Sequence, residues 1–337
     1  MKKHALPHLR QLLGYRAWQL GVLLVAGLVL LPAVVPTFDL YLVEEIISLG
    51  LLAVSVDLMY GYAGLPSLGQ AAYFGLGGYC VALMMLKGGI TAAWIVVPAG
   101  IASGALAAAA FGLVALRTRG FQFLLVTFAF GQLLAAVAIR WQVVQNFGTE
   151  GLVGVTMPNI GLGIYWWGNL STYYGACLVL VVSYAWAKAL AWSPLGHLAQ
   201  GLRENEARMQ AFGYNTWWCK YKIMIAAGGL AALGGELFAF TSGAILPSDM
   251  DYTYSGLAFL MVVLGGAGTI DGALLGAVVI ILLQHFVSLA APARWPLVLG
   301  VVFLGSAVAV RGGLTAGIAR AVSVGGRYAQ NHGRWKF

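Results

Sequence analysis

The sequence predicts an all-α integral membrane protein, and three observations carry that expectation. Of 337 residues, 61% are apolar and only 9% are charged, where a soluble domain carries roughly 45–50% and 25%. The apolar residues gather into about ten segments, most of them close to the roughly 20 residues that cross a bilayer as a helix. The basic residues lie between those segments in an alternating, one-sided pattern that orients a membrane protein.

The segments fall at roughly 18–36, 42–60, 66–86, 92–116, 121–140, 173–192, 221–242, 255–268, 272–290 and 295–310. The first follows Lys2, Lys3, Arg10 and Arg16, as a secretory signal would. No small-x-small cleavage site stands near Pro32–Pro36, so it is read as a retained span. With the N-terminus inside, every one of the 19 Lys and Arg residues except Lys87, Arg140 and Arg294 is cytoplasmic. One missed span would scramble that asymmetry. Both termini are therefore expected in the cytoplasm, the membrane as bacterial inner membrane. Residues 1–17 form a cytoplasmic segment, 18–311 the membrane domain and 312–337 a basic cytoplasmic tail. An outer polar loop runs over 141–172, and an inner one over 193–220. Aromatic residues agree: Trp141, Tyr165, Trp166 and Trp167 gather at the outer interface, and Trp192, Tyr214, Trp217 and Trp218 at the inner one.

The net charge of +8 belongs to this pattern and is not read as a nucleic-acid footprint. The three cysteines give no disulfide framework and are read as thiols. There is no GxxxxGK[ST] phosphate loop, HExxH, CxxC or GxSxG, so the chain is not read as an enzyme, and no cofactor or metal is expected.

Glycine is abundant, at 46 residues or about twice the usual share of 7%. Pairs four apart, Gly100/Gly104, Gly268/Gly272 and Gly272/Gly276, suit close helix packing. Two other glycine-rich stretches break apolar runs in corresponding places. Gly61 to Gly78 reads GYAGLPSLGQAAYFGLGG, with six glycines and a proline, and Gly265 to Gly276 reads GGAGTIDGALLG. The run 255–268 is only about 21 Å long as a helix at 1.5 Å per residue, short of the core of about 30 Å, so it is expected to be re-entrant or unwound. Broken backbone at membrane depth survives only where protein buries it or where it lines a wet cavity, and paired broken segments point to a translocation pathway. Gly64, Ser67, Gly69, Gln70, Gly265, Gly266 and Gly268 are its candidate lining.

Glu236 joins them because it stands deep in an apolar run, where an acid must face a cavity or partner, or be protonated. Glu44 and Glu45, near an outer end, and Asp57 and Asp271, near inner ends, are read as interfacial. His285 is read as a hydrogen-bonded packing histidine rather than a metal ligand.

Four stretches now carry a resemblance: GYAGLPSLGQAAYFGLGGY from Gly61, FLLVTFAFGQ from Phe123, SPLGHLAQGLRENEARMQAFGYN from Ser193 and MVVLGGAGTIDGALLGA from Met261. The chain resembles the LivM-type permease subunits of branched-chain amino-acid ABC transporters, within the wider family of high-affinity amino-acid and urea permeases. The resemblance implies a cytoplasmic loop that docks a short helix in an ATPase subunit, at Glu204, Glu206, Ala207 and Gly213. Residue chemistry agrees: Glu204 and Arg208 stand four apart, as a helix-supporting pair would, and Gly213 suits a left-handed cap. The resemblance also implies a homologous second permease, two ABC ATPases and a periplasmic substrate-binding protein, with lipid around the bundle. The function it implies is import of branched-chain or related amino acids by ATP-driven alternating access. Urea or short amides are the alternative cargo, and an ion-coupled secondary transporter is a weaker alternative. Gln70 stands where the family often has histidine, Ala273 where it has proline, and Glu236 where it has a small or apolar residue; Pro66 interrupts the glycine stretch.

The charge asymmetry generates a direct test. Single cysteines at Gly148 or Thr149 are expected to react with an impermeant thiol reagent from the periplasmic side, and cysteines at Gln200 or Asn215 only after the membrane is opened. Reversed accessibility would sink the orientation.

Overall fold

The computed structural model describes residues 32, 37–140, 151–159, 169–290, 295–309 and 313–315. The segment expected over 18–36, apart from Pro32, most of the outer loop and nearly all of the tail lie outside the described residues.

Eleven helices of six residues or more follow one another in the described residues: α1 (Thr37–Asp57), α2 (Gln70–Leu86), α3 (Ala93–Ala115), α4 (Phe121–Arg140), α5 (Asn169–Trp192), α6 (Pro194–Glu204), α7 (Glu206–Ala211), α8 (Thr216–Ser242), α9 (Tyr252–Gly265), α10 (Ile270–Ala290) and α11 (Trp295–Ala309). Five of them, α3, α4, α5, α8 and α10, are long and apolar enough to cross a membrane, and α2 and α9 are shorter apolar helices. α1 has 21 residues but carries Asp39, Glu44, Glu45 and Asp57.

The axis of the bundle is α8. In its most apolar stretch 83% of the residues are buried, against 28–33% in the other four long helices, so it is wrapped by protein where they face outward. It starts at Thr216 rather than near 221, because Asn215 caps it by accepting the Trp218 N–H at 3.2 Å.

Small residues let the neighbours close on it. On α3 the buried positions Gly100, Gly104, Ala108 and Gly112 form one stripe, four residues apart and therefore on one face. A methyl group on Gly104 would strike Ala232 and lie 2.7 Å from the Gly228 carbonyl oxygen of α8. On the α2 side, a methyl on Gly235 would overlap the Phe74 carbonyl. Lipid tails are as apolar as leucine, so contact of this kind, rather than a hydrophobic drive, holds membrane helices together. The same device closes the α9–α10 hairpin, where Gly265 lies against Gly272 and Gly276.

The structure corrects two expectations about the breaks. α9 is a regular helix of 14 residues; the irregular backbone lies after it, at 266–269. The apolar run from 66 becomes helical only at Gln70, and 63–69 runs back into the bundle. The all-α expectation also misses a small ribbon, in which β1 (Leu152–Val153) pairs antiparallel with β2 (Ala244–Ile245). Gly154 and Val155 donate to the Gly243 carbonyl at 2.9 and 3.0 Å, so the middle of the outer loop is tied to the end of α8.

Acid placement differs as well. Asp57 is 0% exposed and Glu44 5%, so both are packed within protein, whereas Asp271 is half-exposed and bridges to Lys188 at 2.7 Å. Tyr184 donates to Asp271 at 2.5 Å, fixing the start of α10 to α5. The three cysteines are free thiols.

The packing sets a stability expectation. Gly235→Ala forces a methyl into the α2 backbone and is expected to destabilise by about 1–3 kcal/mol, the usual cost of overpacking. Gly256→Ala, where a methyl meets nothing within 4 Å, is expected to be neutral. Thermal unfolding of the two variants in detergent checks the contrast.

Candidate functional site

The two broken segments meet at one end of the bundle. α1 ends at Asp57 and continues into a single wide turn, Leu58–Tyr62, of the π type. Such a turn leaves carbonyls that no ordinary helical N–H reaches. Above it, Leu65 donates to Met59 at 2.9 Å and Gly64 to Tyr60 at 3.2 Å, and Pro66 has no N–H to offer Gly61. The Gly61 carbonyl is taken instead by Arg203 Nη1, from the last turn of α6. Across the same point, Asp57 Oδ1 accepts the N–H of Gly268 at 2.7 Å. Gly268 has φ +88°, and a methyl there would lie 2.8 Å from Arg203 Nη1, so only glycine fits. A methyl on Gly64 would lie 3.1 Å from Arg203 Cγ. Hydrogen bonds to charged groups contribute roughly 1.5–3 kcal/mol each.

Of the pathway candidates, Gly64 and Gly268 thus share one knot with Asp57, Gly61 and Arg203. Ser67, Gly69 and Gln70 lie deeper. Ser67 Oγ accepts the Gly69 N–H at 3.3 Å, Thr127 Oγ1 of α4 the Leu68 N–H at 3.4 Å, and Ser255 Oγ of α9 the Ala71 N–H at 2.9 Å. α2 therefore starts inside the bundle, beside the start of α9. There Asp251 caps α9 through the Tyr252 N–H at 2.8 Å and accepts Gln132 Nε2 at 3.0 Å. Gln70 is fully buried, and its amide has no partner among the described residues.

The remaining candidates do not join these groups. Gly265 is held in the hairpin packing, its carbonyl accepting from Thr315 Oγ1 at 3.1 Å, and Gly266, with φ +121°, turns the chain out of α9. Glu236 is 1% exposed, and both its oxygens lack partners among the described residues. It is set against Gly100 of α3, whereas its neighbour Gly235 faces α2.

Sequence reasoning missed Arg203, Asp57, Thr127 and Ser255 as members of the site. Asp57 carried a signal in its position four residues before Gly61. Thr127 and Ser255 carried none beyond being polar in apolar runs.

The inner loop folds into two short helices. Ser193 caps α6 by accepting the Gly196 N–H at 3.3 Å, with Pro194 in the first turn. The expected Glu204–Arg208 pair on one helix is not formed. The backbone is extended at Asn205 (φ −162°, ψ 101°), which ends α6 and caps α7 through the Arg208 N–H at 2.9 Å. Gly213 does what its position suggested: at φ +85° it ends α7, with Tyr214 donating to Met209 at 3.2 Å and Gly213 to Gln210 at 2.9 Å.

Glu206 is bonded within the chain, to Lys220 Nζ at 2.6 Å, which ties α7 to the first turns of α8. Partial burial pushes its carboxyl up, but Lys220, with Arg119 and Thr216 nearby, outweighs that and holds it below the usual value. Glu204, Ala207, Arg208 and Gly213 are exposed. So are Phe212 at 70% and the rings of Tyr214 and Trp218. Beneath them lies a small apolar cleft lined by Leu198, Leu202, Met209 and Cys219.

A family model described as the permease component of the branched-chain amino acid transport system matches residues 40–307. The chain is similar to the high-affinity branched-chain amino acid transport system permease protein LivM of Salmonella typhimurium, 26% identical over 255 residues that cover 68% of this chain and 59% of that protein. It is similar to the probable branched-chain amino acid transport permease protein LivM of Methanocaldococcus jannaschii, 24% identical over 268 residues, 69% of this chain and 76% of that one. It is also similar to the permease protein LivH of Salmonella typhimurium, 25% identical over 252 residues, 68% and 78%. The chain spans about three-fifths of the length of the LivM proteins of Salmonella typhimurium and Escherichia coli. No solved structure matches it.

The Glu206–Lys220 pair generates an expectation with a sign. A carboxyl held below its free value stabilises the docked α7 above the ordinary carboxylate range, and that contribution is lost as pH falls through the lowered value. Glu206→Gln is expected to raise hydrogen exchange across 206–211 at neutral pH by up to about fivefold, the scale of a partly exposed pair at up to ~1 kcal/mol. Lys220→Gln is expected to do the same, and the double variant to add little. Additive effects would show that the two residues act separately.

Proposed function

We propose, from the premise that this chain belongs to the branched-chain amino acid transport permease family, that it is a membrane-spanning subunit of an ABC importer for branched-chain or related amino acids. It works in a bacterial inner membrane with a homologous second permease, two ATPases and a periplasmic binding protein. The observation that carries the reading is the joint between α6 and the broken segments. A helix of the inner loop is bonded, through Arg203, to the Gly61 carbonyl, so a movement imposed on that loop reaches the broken backbone directly. The similarity to both LivM and LivH supports pairing with a related subunit.

In this reading both termini are cytoplasmic, and α6 and α7 form the coupling element. Glu204, Ala207, Arg208 and Phe212 are its exposed surface toward an ATPase groove. Glu206 acts from within, holding α7 in position through Lys220, and Gly213 closes the element. ATP draws the ATPases together, α6 and α7 move, and the bundle opens outward. Substrate delivered by the binding protein passes along the segment of Gly64, Ser67, Gly69 and Gln70 and the turn of Gly265, Gly266 and Gly268. Glu236 is set apart from this line and tunes the α3–α8 contact.

The test is uptake by the reconstituted complex, with leucine and urea compared. Accumulation of leucine that needs ATP and the binding protein is expected. Accumulation that survives without ATPases on an ion gradient would overturn the reading. Phe212→Asp places a charge in the coupling surface outside the bundle. It is expected to reduce ATPase co-purification at least tenfold without changing the folding of the permease; full co-purification would remove this surface from the interface.

A further inference from the structure

We infer that Arg203 is a latch that holds the inner mouth closed. Its guanidinium fastens the first broken segment to α6, beside the point where Asp57 fastens that end of α1 to the second, and its release is a step in opening.

The position of the bond supports this. The Gly61 carbonyl has lost its helical partner twice over: the π turn shifts the register, and Pro66 supplies no N–H at the place a wider turn would use. A carbonyl in that situation takes either water or a donor from elsewhere. Arg203 supplies the donor, from a place where a methyl added to Gly268 would lie 2.8 Å from the same nitrogen. The opposite stray group, the Gly268 N–H, is held by Asp57 Oδ1 at 2.7 Å. One cation and one carboxylate thus tie the end of α1, the α9–α10 turn and the end of α6 into a single knot.

The two charges differ in a way that suits a latch. Asp57 is fully buried and lies within the bundle whatever α6 does. Arg203 is exposed, so its guanidinium returns to water when it lets go, whereas Gly61 is buried and its carbonyl is wetted only as the mouth parts. The residue after next, Asn205, has extended backbone and joins α6 to α7. Arg203 therefore stands at the joint between the element that would be moved and the backbone that must part. Next to the knot, Ala63 is 3% exposed and Leu65 7%, at the start of the segment that leads to Gly69 and Gln70. Arg203 positions backbone and is not assigned contact with substrate. The latch is a property of the permease itself; its control by ATP rests on the importer reading above.

The test uses the full complex in vesicles, with the three native cysteines replaced by alanine and Ala63→Cys as a reporter. Arg203→Gln is expected to speed thiol labelling at position 63 at least tenfold without nucleotide, in a complex that still assembles, and to allow downhill leak of leucine. Labelling within twofold of the parent would overturn the latch, whatever ATP does. In the parent, ATP with vanadate, which would hold the bundle open outward with the latch fastened, is expected to slow labelling below the nucleotide-free rate. If it does not while Arg203→Gln speeds labelling, the latch stands and the importer reading fails. Should Arg203→Gln not fold, hydrogen exchange on the wild-type complex decides. Segments 57–65, 199–204 and 265–269 are expected to lose protection together, and independent opening would overturn the proposal.

Discussion

Every interruption of a helix inside a bilayer frees backbone polar groups that lipid cannot satisfy, and the arrangement at one end of this bundle follows from that constraint. Two stretches leave helical geometry, 58–69 and 266–269. Their exposed groups are met by Arg203, Asp57, Ser67, Thr127 and Ser255. Apart from Ser67, which lies in the first stretch, each partner comes from a different element, so satisfying the backbone also fixes how α1, α2, α4, α6, α9 and α10 sit relative to one another. Polar residues that look scattered along the chain are the complement of its breaks.

Close approach makes that complement possible. Side chains as short as serine and threonine reach a neighbouring backbone only if the helices nearly touch, and the glycine and alanine stripes on α2, α3, α8 and α10 provide the contact. Glycine therefore has two separate tasks here. In α3 and α8 it removes bulk from regular helices. At Gly268 it allows a left-handed turn beside a guanidinium. Substitution at either kind of position disturbs backbone contact, so a loss of transport there does not by itself identify a lining residue.

The inner loop reuses the same economy. α6 and α7 are short, and isolated helices of their length are marginal in water. Ser193, Asn205 and Gly213 cap their ends; Lys220 tethers α7 and Arg203 tethers α6. The exposed face left over sets the rings of Phe212, Tyr214 and Trp218 beside the charges of Glu204 and Arg208. That is the expected character of a surface with a protein partner.

Much was legible in the sequence. Composition and segment length determined a helical membrane protein and located its described helices, most boundaries to within a few residues, because about 20 apolar residues in a row have few other uses. Glycine spacing marked close packing at Gly100/Gly104 and Gly272/Gly276, and the caps of the inner loop lie in local residue types. The sequence could not tell which broken backbone group meets which side chain. Arg203 lies 142 residues from Gly61 and Asp57 211 residues from Gly268, and no periodicity links positions that far apart. Burial of Asp57, separation of Glu236 from the broken segments and the Asn205 break that divides Glu204 from Arg208 were likewise decided only by the tertiary structure. Local pattern sets which residues can form a helix or a cap, whereas the partner of a freed polar group is chosen by whichever element the packed bundle brings within hydrogen-bonding distance.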